Sequence, residues 1–420
     1  MANIGYFLEY RYWESAVQLL KYQLTLKKMN RHFNRLSMFY YEAVQASASK
    51  IEREAYFEKR IASNLFYGLE QEFAVRPYLL PKSNLGLRRY KFLSYPMRLL
   101  YYSVGLYLVE LSQEFLIEHK ALHPNIHSWY GGNLAFNLNT KALEIAYQRV
   151  WYKPHYSNFR KTVRQNIAQD TPNKIVFHLD IQNYYDEIDV QRLLGYLTEF
   201  IKPSIQQGAN FDAVTKRELQ YFFEFLGLGR GGIPQTDNDI VSSYIGHLYM
   251  IFGDIFIEEE ILCFRDKIKA YKVIRYMDDV YISIALDSAT KPVEKETLIH
   301  DLASRISDCL YERLGLRLNY KTKVFWLSNP QELNELKKNL KKVSQNYQIE
   351  DEENDEHPVN KLSNIFVQLC SDQSDDEKSW TQITAENADF WLWISVYLRE
   401  SASHFLFYYH SDQYNICTTY

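Results

Sequence analysis

The sequence predicts an α+β protein with helical regions at both ends of the chain. Three observations predict it. Residues 1–75 hold few glycines or prolines and carry apolar residues at helical spacing; short apolar runs of strand length punctuate the middle of the chain; and helical periodicity returns beyond residue 328. A length of 420 residues exceeds the usual single domain, so two or three units around large cores are expected. The expected division is an N-terminal helical region (1–75), a mixed central region (76–327) and a helical C-terminal region with a tail (328–420).

Arg76-Pro77 ends the first helical run, and Leu79-Leu80-Pro81 opens a loop over Lys82–Gly86. A strand is expected over Leu87–Ser94 and a helix from about Tyr95 to Glu118. Trp129-Tyr-Gly-Gly132 and Gly227-Leu-Gly-Arg-Gly-Gly232 are turns, and the apolar run Lys174–Leu179 between them suits a buried strand. Helical patterns cover Val190–Ile201, Ala213–Phe225 and Ile240–Ile257. Ala270–Tyr276 and Val280–Ala285 are two strands separated by Met-Asp-Asp, which is hairpin chemistry. Leu298–Leu314 is helical and stops at Gly315; Leu316–Leu318 and Lys323–Leu327 are further strands. The acidic stretch Glu350–Glu356 reads as a linker or loop, with helices over Asn360–Leu369 and Ala388–Tyr409 after it.

Composition is that of an ordinary soluble protein, 46% hydrophobic and 24% charged. The 35 tyrosines either supply base-stacking surfaces or fill a Tyr-heavy core. Cys263, Cys309, Cys370 and Cys417 lie far apart without C-x-x-C pairing, which excludes a zinc-finger or disulfide framework and suits a reducing cytoplasm. The N-terminus has no basic-then-apolar leader pattern and no apolar run is expected to reach membrane-spanning length, so a cytoplasmic protein without membrane contact is predicted. The net charge of −4 hides an asymmetry, since residues 331–420 carry 16 acidic against 7 basic residues. Two stretches contain no acid: Phe73–Val109, and Ile145–Gln169 with Arg149, Lys153, Arg160, Lys161 and Arg164 among aromatic residues. Local positive potential of this kind suits phosphate, and the second stretch, or another surface, is the candidate nucleic-acid-binding face.

Two of the expected strands end in acids. Lys174–Leu179 runs into Asp180, and Ala270–Tyr276 into a turn bearing Asp278 and Asp279. Carboxylates gathered behind apolar strands, with no basic partner near in sequence, are costly unless a cation neutralises them. Mg²⁺ takes hard oxygen ligands. Two such ions serve phosphoryl transfer, one activating the attacking hydroxyl and the other holding the leaving pyrophosphate. Asp180, Asp278 and Asp279 are therefore the candidate ligands of two Mg²⁺ ions.

Tyr276-Met-Asp278-Asp279 between two strands resembles motif C of reverse transcriptases. Asp180-Ile-Gln-Asn-Tyr-Tyr185-Asp-Glu-Ile188 resembles motif A, and Gly232-Ile-Pro-Gln235 motif B. Leu318-Asn-Tyr-Lys321-Thr322 resembles motif D, and Pro81-Lys82 through Gly86-Leu-Arg88 the fingers segment. The resemblance covers about residues 76–327 and implies a right-hand polymerase fold, with fingers and palm in that region and a thumb-like region after it. It further implies that Asp180 and Asp278 ligate both metals with help from the Ile181 carbonyl, and that Asp279 supports them. Tyr185 falls at the steric-gate position that favours deoxynucleotides, with ordinary packing as the alternative. Gln235 would touch the incoming nucleotide, and Lys82 and Arg88 would grip the triphosphate of a dNTP. Lys321 either protonates the departing pyrophosphate or is a surface lysine. His178 faces opposite to Asp180's neighbours and is expected to be structural.

The motif departs from the family at Gln235-Thr236-Asp237-Asn238-Asp239, where a Gly usually follows the Gln; two acids there suggest unusual handling of template or primer. No ribonuclease H-like, endonuclease or maturase segment is evident. What remains resembles bacterial defence-associated reverse transcriptases, including the abortive-infection type. That resemblance implies an antiphage role, a noncoding RNA partner, a DNA product and a homo-oligomer, trimer or hexamer. It also implies synthesis primed from a protein tyrosine, with Tyr420 the first candidate and Tyr414 the second. A retron-like or domesticated intron enzyme copying a structured RNA is the alternative, although retron enzymes usually have Ala before the paired aspartates. An inactive polymerase-fold RNA-binding scaffold is the alternative from another class.

Overall fold

The computed structural model describes residues 3–25, 50–64, 73–81, 87–144, 152–168, 173–234 and 239–348. Helices predominate, around a mixed sheet. In chain order the elements are α1 (Tyr10–Thr25), α2 (Lys50–Tyr56), β1 (Val75–Pro81), β2 (Leu87–Leu93), α3 (Tyr95–Leu122), β3 (Ile126–Trp129), α4 (Tyr152–Ala168) and β4 (Lys174–Asp180). There follow α5 (Tyr184–Glu187), α6 (Val190–Phe200), α7 (Pro203–Gly208), α8 (Ala213–Gly227), α9 (Ile240–Leu262), β5 (Ile268–Tyr276) and β6 (Asp279–Leu286). The last described elements are α10 (Pro292–Leu314), β7 (Lys323–Trp326) and α11 (Pro330–Gln348). Two compact units divide the chain: Met1–Arg76 with Lys91–Leu340, and Pro77–Tyr90 with Lys341–Tyr420.

The five-stranded sheet lies in the first unit and has the order β3-β5-β6-β4-β7. β4, β5, β6 and β7 with their intervening helices follow a β-α-β-β-α-β path, all four paired antiparallel, and β3 extends the β5 edge in parallel. Both faces of this sheet are covered. Ile175, Phe177 and Leu179 of β4 belong to the main core with Leu248 and Phe252 of α9 and Leu302, Ile306 and Leu310 of α10. Val176, on the opposite face by strand alternation, packs with Phe159, Val163 and Ile167 of α4 and Leu336 and Leu340 of α11. Double coverage explains why β4 reads as a nearly continuous apolar run rather than an alternating one.

Tyr12, Tyr95, Tyr101, Tyr102, Tyr107, Tyr244 and Tyr249 are buried, so many of the described tyrosines fill the core. α9 is long and apolar enough to cross a membrane, contrary to the sequence expectation for any run in the chain. Its residues are almost all buried among α3, α10 and the sheet, and apolarity all round is what a central core helix requires.

The central strands and helices lie where the sequence places them, with four differences. The expected loop at Leu79–Pro81 is the end of β1, whose partner is β2; Pro is tolerated in a strand at an edge. The expected strand Leu316–Leu318 contributes one bridge, Leu318 to Ile181. α4 was hidden because its apolar stripe is only Phe159, Val163 and Ile167, one residue per turn among polar ones. β3 is too short to show a period. The stretch Glu350–Glu356 and the helices expected beyond it lie outside the described residues.

Candidate active site

Strand pairing brings the three acids together. β4 and β6 are in register with Asp180 opposite Asp279, and β5 and β6 with Tyr276 opposite Asp279. Met277 and Asp278 are therefore the two residues of a hairpin turn, and Asp278 adjoins the Asp180–Asp279 pair. Directly opposed residues of an antiparallel pair have Cα atoms about 5 Å apart. Met277 has φ +55° whereas Asp278 is not in the left-handed region, the combination that marks a type II′ turn. An L-residue at such a φ costs about 1–2 kcal/mol, so the surroundings must hold the turn. The Met277 N–H donates to the Trp129 carbonyl of β3 (3.2 Å).

The side chains divide their tasks. His178, two residues before Asp180, shares its face of the sheet. Its ring stacks on Tyr281 with centroids 4.4 Å apart, and its Nε2 donates to Asp279 Oδ1 at 2.8 Å. Burial, reinforced by the Asp279 charge, pushes the Tyr281 phenol far up, so it stays neutral behind this pair. Among the described residues no three His, Cys, Asp or Glu side chains form a metal-holding group. The three acids thus adjoin along the backbone, and Asp279 is engaged by His178. Mg²⁺ is commonly held by one or two carboxylates with substrate phosphates and water completing the octahedron. Asp180, Asp278 and the Ile181 carbonyl are the groups here that could hold such an ion.

The end of β4 is pinned on its other side. Asn319 N–H donates to the Asp180 carbonyl (2.7 Å), Gln182 N–H to the Arg317 carbonyl (2.9 Å), and Asp180 N–H to Thr322 Oγ1 (3.2 Å). Lys321 is exposed in this turn, between the two residues that grip Asp180. Beyond Asp180 the chain reverses at Asn183, φ +46°, and enters α5. There Tyr184 is buried with its hydroxyl donating to the Gly246 carbonyl, and Tyr185 is half-buried, edge-on to Tyr184 at 5.4 Å. The Tyr185 carbonyl accepts from Ile233 N–H at 2.9 Å, and Gly232, φ +86°, lies against it so closely that a Cβ would be 2.5 Å from that oxygen. The glycine permits this approach of the Gly232–Pro234 segment to Tyr185.

Of the other expected residues, Lys161 and Arg164 are exposed on α4, whereas Arg160 turns inward and donates to the Leu340 carbonyl (2.5 Å). Asp239 is not an acid on an open path. It is buried, caps α9 by accepting from Ser242 N–H (2.7 Å), and accepts from the Tyr102 hydroxyl (2.9 Å). Asp-x-x-Ser before an apolar run is a helix-start signal that points to this role. Lys82, Gln235, Asp237, Arg149, Tyr414 and Tyr420 lie outside the described residues, as do the side chains of Arg88 and Lys153.

Two charged features escaped the sequence reading. Arg275 and Asp254 form an ion pair with both side chains fully buried, Nη2 to Oδ2 2.6 Å. The signal was present for Asp254, which is the one acid in the apolar run Ile240–Ile257, but not for Arg275, which shares its strand with Lys269 and Lys272. Lys91 of β2 is buried with its ammonium lacking a hydrogen-bond partner among the described residues. Burial pushes its pKa down, while the charge of Asp186, next to Tyr185, pulls it back up.

No protein-family model matches the sequence, and no curated protein is similar to it. Among solved structures, the chain is similar to telomerase from Candida albicans in complex with the TWJ fragment of telomeric RNA, with 12% identity and a TM-score of 0.33. The likeness covers 64% of this chain and 46% of the telomerase chain, so this chain spans less than half of that protein. A likeness that slight bears on neither fold nor function.

Proposed function

We propose that this chain is a nucleic-acid polymerase of the reverse-transcriptase type, with Asp180 and Asp278 at the centre of a palm. One observation carries the reading: the pairing of β4 with β6 sets Asp180 opposite Asp279, beside the turn that carries Asp278. Two Mg²⁺ ions bound there would supply charge neutralisation and an activated hydroxyl for nucleotidyl transfer. The chain's own residues do the rest. Asp180 at the end of β4 and Asp278 in the β5–β6 turn would supply carboxylate oxygens, and His178 holds Asp279 by a hydrogen bond. Tyr185 offers a half-buried ring within the segment that resembles motif A, in keeping with selection against a ribose 2′-hydroxyl. The buried ammonium of Lys91 brings positive charge near that segment.

The resemblance extends the proposal to an antiphage enzyme that binds a noncoding RNA, assembles with copies of itself and starts DNA from Tyr420 or Tyr414. The test is incorporation of labelled dNTPs by purified protein with Mg²⁺, with and without a primed template. Asp180→Asn and Asp278→Asn should each lower incorporation by about a thousandfold, the scale of metal-borne charge stabilisation. Folded variants that incorporate as wild type does would sink the proposal, and a wild-type protein that incorporates nothing would favour a binding scaffold. Label appearing on the protein itself, and lost in Tyr420→Phe, would support protein priming.

A further inference from the structure

Arg275 lies two residues before Met277 on β5, and no part of its side chain reaches solvent. Its guanidinium grips Asp254 of α9 with Nε at 2.8 Å from Oδ1 and 3.0 Å from Oδ2, and with Nη2 at 2.6 Å from Oδ2. The remaining arm, Nη1, donates to the Met277 carbonyl oxygen at 3.1 Å. That carbonyl belongs to the peptide joining Met277 to Asp278, the central peptide of the catalytic turn.

The orientation of this peptide separates the two hairpin turns open to a two-residue loop. A type I′ turn needs positive φ at both central residues, a type II′ turn only at the first. Here Met277 alone has it. Glycine usually takes that first position, so a methionine there must be held against its own steric preference. The bond to Arg275 draws the carbonyl inward and selects the type II′ form, which sets the direction in which Asp278 leaves the backbone. The methionine side chain is accommodated at Gly246 of α9, where a Cβ would meet its Cε at 3.1 Å.

We infer that Arg275, anchored by Asp254, is a positioning residue that fixes the Met277–Asp278 peptide and thereby aims the Asp278 carboxylate at the metal site. The inference rests on the polymerase reading above. Only a guanidinium satisfies the geometry, because its planar fork serves the carboxylate and the carbonyl at once. A lysine keeps the charge beside Asp254 but is a single point and cannot span both.

Arg275→Lys is therefore the discriminating variant, with Arg275→Met as the harsher one and circular dichroism melting to establish the folded fraction. Mn²⁺ binding is measured by paramagnetic resonance without nucleotide, and kcat and KM for a dNTP are measured separately. Folded Arg275→Lys should bind Mn²⁺ more weakly and lose about tenfold or more in kcat, as displaced reacting groups do, with KM for dNTP little changed. An Arg275→Lys protein that melts lower, yet has wild-type Mn²⁺ affinity and kcat per folded molecule, would overturn the inference and leave a purely structural ion pair. The polymerase reading has its own control in the same assay. If wild-type Mn²⁺ binding is insensitive to Asp278→Asn, that reading and this inference fall together.

Discussion

Gly232 and Gly229 share one glycine-rich turn, both have positive φ, and their surroundings differ. At Gly232, φ +86°, an added Cβ would lie 2.5 Å from the Tyr185 carbonyl oxygen and 2.7 Å from the Asp186 Cα. At Gly229, φ +73°, nothing lies within 4 Å. Alanine at 229 therefore carries only the left-handed backbone penalty, about 1–2 kcal/mol. Alanine at 232 carries that penalty and also forces backbone apart by about 1 Å to restore van der Waals contact. Overpacking of that order adds about 1–3 kcal/mol. The displacement falls on Tyr185, whose carbonyl would lose the Ile233 N–H bond of 2.9 Å. Urea unfolding followed by circular dichroism, compared at unchanged m-value, should rank wild type above Gly229→Ala above Gly232→Ala. Gly232→Ala should also weaken the preference for dNTP over rNTP. Equal destabilisation by the two substitutions would refute the close approach as the reason for glycine at 232.

Two further outcomes are expected. Burial, with His123 and Arg275 nearby, holds the His119 imidazole down to about 3 from its ordinary 6.5, so the unfolded chain takes up a proton that the folded chain refuses. Stability is then fully present above pH 6.5 and is lost as the pH falls towards 3, by up to about 1.4 kcal/mol per pH unit for this one group. His119→Leu should flatten the dependence of stability on pH across that window, and a dependence as steep as wild type would show that His119 is not the group responsible. Gly195 lies exposed within α6 with open space where a Cβ would stand. Gly195→Ala should raise stability by about 0.5–1 kcal/mol, read as a higher melting temperature; a lower one would contradict the helical conformation there.

Much of the sheet was legible in the chain because it is written in local terms. β4 is a bounded apolar run, Met-Asp-Asp between two such runs is a hairpin, and α9 is apolar all round. The elements that escaped are those whose identity depends on a partner. β1 exists by pairing with β2, β3 by lying beside β5, and α4 by resting three apolar residues on one face of the sheet.

The same division runs through the site. By itself the sequence determined that acids stand at the end of one apolar strand and at the tip of a hairpin, because the apolar runs and the Met-Asp-Asp turn between two of them are local patterns; the structure leaves all three acids half-buried rather than buried. It marked Gly227–Gly232 as a turn, but the positive φ at Gly232 and its close approach to the Tyr185 carbonyl came only with the structure. Only the tertiary structure decided that β4 pairs with β6 rather than β5, which sets Asp180 opposite Asp279, and that His178 occupies Asp279. It alone matched Arg275 to Asp254. Strand register and the meeting of buried charges are settled by long-range packing, where each residue's partner is chosen by the path of the whole chain and not by its neighbours in sequence.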